Sequence, residues 1–143
     1  MAFLLDTNVI SEMRRPRPSA EVVRWYAGLT PTQVFLSVIS IGEIQRGILK
    51  VRQQAAGKAD ELTEWLHGLE TAYQDALLPV DVSVSKAWAG LRSIRPGGDV
   101  EDLLIAATAL AHGLTVATRN VRDFADLGVP LHNPFEPAGG GTP

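Results

Sequence analysis

The chain has 143 residues, 45% of them apolar and 20% charged, with a net charge of −3. That length suits one domain able to bury roughly 70% of its unfolded-chain surface, and the acidic balance excludes a polycation that grips nucleic acid by bulk charge. Having no cysteine, the chain also excludes disulfides, thiolate nucleophiles and Cys-based zinc sites.

In chain order, the first strand is predicted at Phe3–Leu5, an apolar run that ends hard against Asp6. Val9, Ile10 and Met13 then show helical spacing, and RRPRP at 14–18 is a proline-broken basic loop. A second strand is predicted at Val34–Ser37, followed by a helix on Ile41, Ile44 and Ile48. VRQQAAGKADE at 51–61 reads as a turn around Gly57 between two helices. The stripe Leu62, Trp65, Leu66, Leu69 and Tyr73 fits a core or a dimer face. Leu77–Val80 reads as a third strand, Val84, Trp88 and Leu91 as a further helical stripe, and RPGGD at 95–99 as a loop. DLLIAATALAHG is apolar nearly all round and stops at Gly113, which predicts a helix buried on most sides. Thr115–Thr118 is the last predicted strand.

Short apolar strands alternating with helices predict an α/β domain with a mainly parallel central sheet, spanning residues 1–136. Residues 137–143 are expected to form a disordered tail. MAFLLD lacks a positive leader, and no stretch approaches the roughly 18 apolar residues of a membrane span. A cytoplasmic protein with no membrane contact is therefore expected. Trp25, Trp65 and Trp88 lie on helical apolar stripes and are read as core or interface, not as platforms for bases.

The chemistry is expected from carboxylates. In open parallel sheets, ligands bind beyond the carboxyl ends of the strands. Asp6 lies at the end of the first strand, Glu43 shortly after the second, Asp102 at the start of the buried helix, and Asp123 shortly after the last strand. Converging carboxylates repel one another and resist desolvation. A hard cation such as Mg²⁺ or Mn²⁺ resolves that conflict. It also polarises phosphodiesters and lets an acidic protein hold nucleic acid. Each acid also has a structural reading: Asp6 as an N-cap, Asp99 and Asp102 as a cap and first-turn acid, Glu43 as a partner of Arg46, and Asp123 as a loop acid.

LLDTNVISE, ISIGEIQRGI and DLLIAATALAHGLTVATRNVRDF together resemble the motifs of PIN-domain ribonucleases, and most closely the toxins of VapBC-type toxin–antitoxin pairs. The NPF at 133–135 resembles the ending of the FitB-like branch, so the resemblance runs over residues 2–135. It implies a three-layer α/β/α sandwich and an endoribonuclease dependent on Mg²⁺ or Mn²⁺. It also implies a cognate antitoxin, an RNA substrate and a homodimer. Asp6, Glu43 and Asp102 match the family's three core acids. The fourth acidic position falls on Asp123, with Asn120 as a neutral alternative, and Thr7 and Thr118 match hydroxyl positions near the metals. Arg119 and Arg122 flank the last motif and are candidates for binding RNA phosphates.

Two further readings compete. A phosphatase would use Asp6 as covalent nucleophile, but Asn8 stands where such enzymes commonly carry a second Asp. A non-catalytic protein- or RNA-binding module would use the acids only as a docking surface.

Overall fold

The computed structural model describes residues 1–137. The residues expected to form the tail, apart from the exposed Pro137, lie outside that range. Strand β1 (Phe3–Leu5) leads into helices α1 (Thr7–Arg14) and α2 (Ala20–Ala27). Strand β2 (Val34–Ser37) then precedes α3 (Val38–Arg52) and α4 (Ala56–Ala72). Strand β3 (Leu77–Leu78), helices α5 (Val82–Ile94) and α6 (Val100–His112), strand β4 (Thr115–Ala117), a 3₁₀ turn (Val121–Phe124) and strand β5 (Leu131–His132) complete the order. Among the described residues, the strands form one sheet in the order β3-β2-β1-β4-β5, and every pairing is parallel.

Period-two alternation along the central strands sorts the side chains into two layers. Leu4 and Val116 point to the face covered by α5 and α6, among Val84, Leu91, Leu103, Ile105 and Phe124. Phe3, Leu5 and Ala117 point to the opposite face, among Val9, Ile10, Val22, Ile44, Ile48 and Leu66 of α1 to α4. The result is the expected three-layer α/β/α sandwich. Enclosing a Leu4 or an Ile105 completely contributes about 2 kcal/mol each, so the central strands are anchored from both sides. Helix α6 is buried along Ile105–Ala109 and ends at Gly113, whose φ of 66° is the left-handed conformation that glycine adopts freely.

Some details differ from expectation. The third strand stops at Leu78 rather than Val80, because Pro79 has no N–H to offer the ladder. The turn between α3 and α4 is Gln53–Ala55, and Gly57 sits inside α4; a glycine near a helix start costs only about 1 kcal/mol, which the packing of Ala59 and Leu66 offsets. Leu62, Trp65, Leu69 and Tyr73 pack on the core of the α1–α4 face, as do Trp25 and, on the other face, Trp88. Strand β5 has no counterpart in the sequence reading; two residues carry no periodicity. No helix of the described residues is long and apolar enough to cross a membrane.

Candidate active site

Strand order fixes where the site must be. From β1 the chain moves outward to β2 and β3, and from β4 it moves the other way to β5. The connections after β1 and β4 therefore diverge, leaving a crevice at their carboxyl ends. Asp6 and Thr118 are the residues immediately past those ends. The Asp6 N–H donates to the Ala117 carbonyl at 2.9 Å, which extends the ladder by one rung and brings the two segments together.

Asp6 is only 6% exposed, and three donors hold its carboxylate. The Thr7 N–H reaches Oδ1 at 2.9 Å, while Asn8 Nδ2 and the Thr118 hydroxyl reach Oδ2 at 3.0 and 2.8 Å. The capping role weighed for Asp6 is thus real, but it uses one oxygen. Thr118 is in turn held by the Asn120 N–H at 3.0 Å, and Asn8 accepts from the Arg119 N–H at 3.1 Å. Burial raises the proton affinity of Asp6, the charge of Asp123 adds to it, and the three donors oppose.

Glu43 arrives on α3. The Thr7 hydroxyl donates to its Oε1 at 2.7 Å and lies 3.0 Å from Ser40 Oγ. The surface pair with Arg46 is not formed; Arg46 instead bridges to Glu101 on α6 at 3.1 Å. The two residues share one helix surface, yet Glu43 turns into the crevice because Thr7 offers a donor there. Its pKa is raised, first by burial, then by the charges of Asp6 and Glu101. Beside it, Val38, Ile39, Gly42, Glu43, Arg46 and Glu101 line a groove of about 200 Å³ between α3 and α6.

Asp102 lies in the first turn of α6, which begins at Val100, and its N–H is capped by Asp99 Oδ1 at 3.0 Å. Its own carboxyl accepts no hydrogen bond among the described residues, and it is pushed up to about 7, by burial first and then by the charges of Asp99, Asp6, Asp123 and Glu43. The charges of Asp6, Glu43 and Asp123 are thus all felt at Asp102, along one edge of the sheet. Asp123, itself exposed, reaches the edge from the 3₁₀ turn after β4, which the buried Phe124 anchors, with Asn120 exposed just before it. Arg119 extends from the same segment, its guanidinium 4.0 Å from the centre of the Phe135 ring, while Arg122 is exposed beside Asp123.

Among the described residues, no three carboxylates or imidazoles stand close enough to form a ready-made cation cage. The donor set is nevertheless one of hard oxygens, and among the described residues no basic side chain forms an ion pair with Asp6, Asp102 or Asp123. Mg²⁺ and Mn²⁺ suit such a site, because they take one or two carboxylates and complete their shell with water and substrate phosphates. Sequence reasoning missed Asn8 and Ser40 as parts of this site. Asn8 stands two residues after Asp6, within reach of a side chain that folds back; Ser40 stands three before Glu43, on the same helix face. Asn8 donates to Asp6 where a phosphatase would need a second acid.

Comparison with known proteins agrees with this geometry. The model of the PIN domain matches residues 3–130. The chain is 37% identical to Toxin FitB of Neisseria gonorrhoeae, covering 93% of this chain and 98% of the relative. It is 36% identical to VapC ribonuclease Y4jK of Sinorhizobium fredii, covering 95% and 99%. It superposes on a chain of the crystal structure of FitAcB from Neisseria gonorrhoeae with a TM-score of 0.82 and 37% identity, over 94% of this chain and 99% of that one.

Proposed function

The chain belongs to the PIN-domain family, and we propose that it is a metal-dependent endoribonuclease, the toxic member of a toxin–antitoxin pair. One observation carries the proposal: Asp6, Glu43, Asp102 and Asp123 come from four separate segments to the switch point of the sheet, where burial and then neighbouring acids raise the proton affinity of the first three, and among the described residues no basic side chain forms an ion pair with any of the four. Similarity to a ribonuclease and to a toxin over nearly the full length supports the substrate class and the biological role. The partner would be a cognate antitoxin that masks the crevice.

Asp6, Glu43 and Asp102 would hold Mg²⁺ or Mn²⁺, which when bound supplies Lewis acidity toward a phosphodiester. The residues of the chain do the rest. The Thr7 N–H, Asn8 and Thr118 keep the Asp6 carboxylate in one orientation, and Thr7 does the same for Glu43. Asp102, with its affinity near 7, stays partly protonated until a positive charge arrives. Asp123, exposed at the outer rim, would orient the attacking water or accept its proton, and Asn120 would only hold the water as a neutral ligand. Arg119, propped on Phe135, would grip a phosphate of the RNA.

The test is incubation of the purified chain, free of any antitoxin, with total RNA in the presence and absence of Mg²⁺ or Mn²⁺. Discrete fragments that require the cation are expected. A folded protein that cuts nothing under either condition would turn the reading toward a binding module.

A further inference from the structure

The loop RPGGD between α5 and α6 looks like plain punctuation in the sequence, but it is tied down from both sides. Arg95, at the C-terminal cap of α5, donates from Nη1 to the carbonyl of Asp123 at 2.7 Å and from Nη2 to the carbonyl of Ala125. Those two carbonyls bracket the end of the turn that carries Asp123. Arg92, one turn earlier on α5, donates to the carbonyls of Pro96 and Gly98 at 2.7 and 3.0 Å. Gly98 leaves space for the stem of Arg95: a Cβ there would stand 2.9 Å from Cδ and 3.1 Å from Cγ. The next residue is Asp99, the cap that launches Asp102.

One guanidinium therefore joins the turn of Asp123 to the loop that leads into Asp102, and among the described residues neither of these two carboxylates accepts a hydrogen bond. We propose that Arg95 is a positioning residue of the active centre, fixing the Asp123 turn against the start of α6 and so setting the spacing between Asp123 and Asp102. Gly98 is its companion, required small so that the arginine can lie across the loop. Arg95 acts on backbone carbonyls, which leaves both carboxylates free for cation and substrate. This inference rests on Asp102 and Asp123 serving the nuclease reaction.

The experiment is a double-mutant cycle on the full chain with Arg95→Ala and Asp123→Asn, since coupling isolates what one residue does through the other. Two quantities are read: Mn²⁺ dissociation by calorimetry without RNA, and kcat for RNA cleavage. Arg95→Ala alone is expected to weaken Mn²⁺ binding and lower kcat by about 10-fold or more, the usual scale for groups that orient ligands. In the Asp123→Asn background, the same change is expected to matter by less than about twofold. Gly98→Ala should reproduce the single-variant loss, and Arg95→Lys, which keeps the charge and a single donor nitrogen in place of the fork, should recover part of it. If Arg95→Ala unfolds, the cycle runs with Arg95→Lys. Equal losses in both backgrounds would overturn the proposal while leaving the nuclease intact. A wild type that neither binds Mn²⁺ nor cleaves RNA would overturn both.

Discussion

The two halves of the acidic edge are built on opposite plans. On the sheet side, Asp6 is buried and held by three donors, and Glu43 is held by Thr7. On the rim side, the carboxylates of Asp102 and Asp123 accept no hydrogen bond among the described residues, and it is their backbone that is fixed, by Asp99 and Arg95. Donors to a carboxylate favour its charged form and lock its direction. Asp102, without them, holds its proton more tightly through burial and the acids around it, and answers strongly to an arriving cation. The difference separates a preset anchor from a responsive partner within one centre.

Breaking the anchor should have the largest effect. Asp6→Asn removes the charge but keeps the shape, so the fold should survive while cleavage falls by about 10³-fold, the scale of losing several kcal/mol of charge stabilisation. Rates on RNA, with circular dichroism as the folding control, check this. Loosening the anchor should cost less. Thr118→Val deletes the hydroxyl that donates to Asp6, and a loss of about 10- to 100-fold is expected, with Thr118→Ser restoring most of the rate.

Arg119 stands outside the comparison and sharpens it. Arg119→Ala should raise KM about tenfold or less while leaving kcat nearly unchanged, as removal of a uniform binding contact does. Phe135→Ala should do the same more weakly, because it frees the guanidinium rather than deleting it. A fall in kcat from either variant would place Arg119 in the chemistry itself.

The smallest effect is on stability and concerns the rim. Asp102 binds its proton more tightly in the folded chain, at about 7, than its ordinary value of 3.8. Between those values the folded state carries more protons than the unfolded one, so stability falls as pH rises through this window and is flat above it. In EDTA, Tm should decline by a few degrees from about pH 5 to 7.5. Mg²⁺ should remove the decline at the upper end, and Asp102→Asn should flatten it without metal. A Tm that rises over this range in EDTA would contradict the raised proton affinity of Asp102.

Much of this was legible in the sequence, for physical reasons. Asp6 stands out because a charge seldom abuts a buried strand, and Gly113 because it terminates an apolar helix. Asp99 was readable as a cap because capping is local. What was not legible depends on distance along the chain. Thr118 and Asp6 are 112 positions apart, Thr7 and Glu43 36, and Arg95 and Asp123 28. No local periodicity encodes such pairs; only the parallel sheet brings them together. Glu43 shows the same limit from the other side: its local partner in sequence, Arg46, stands three residues on, yet Thr7 and Glu101 decide where the two side chains go.

The most direct measurement is a calorimetric Mn²⁺ titration of the purified chain, run beside the Asp6→Asn and Asp102→Asn variants, with RNA cleavage followed on the same samples. Saturable binding by the wild type, weakened in both variants in step with the loss of cleavage, is the predicted result. Undiminished cleavage by a wild type that binds no Mn²⁺ or Mg²⁺, or full activity in either variant, would contradict a cation-holding role for the acids.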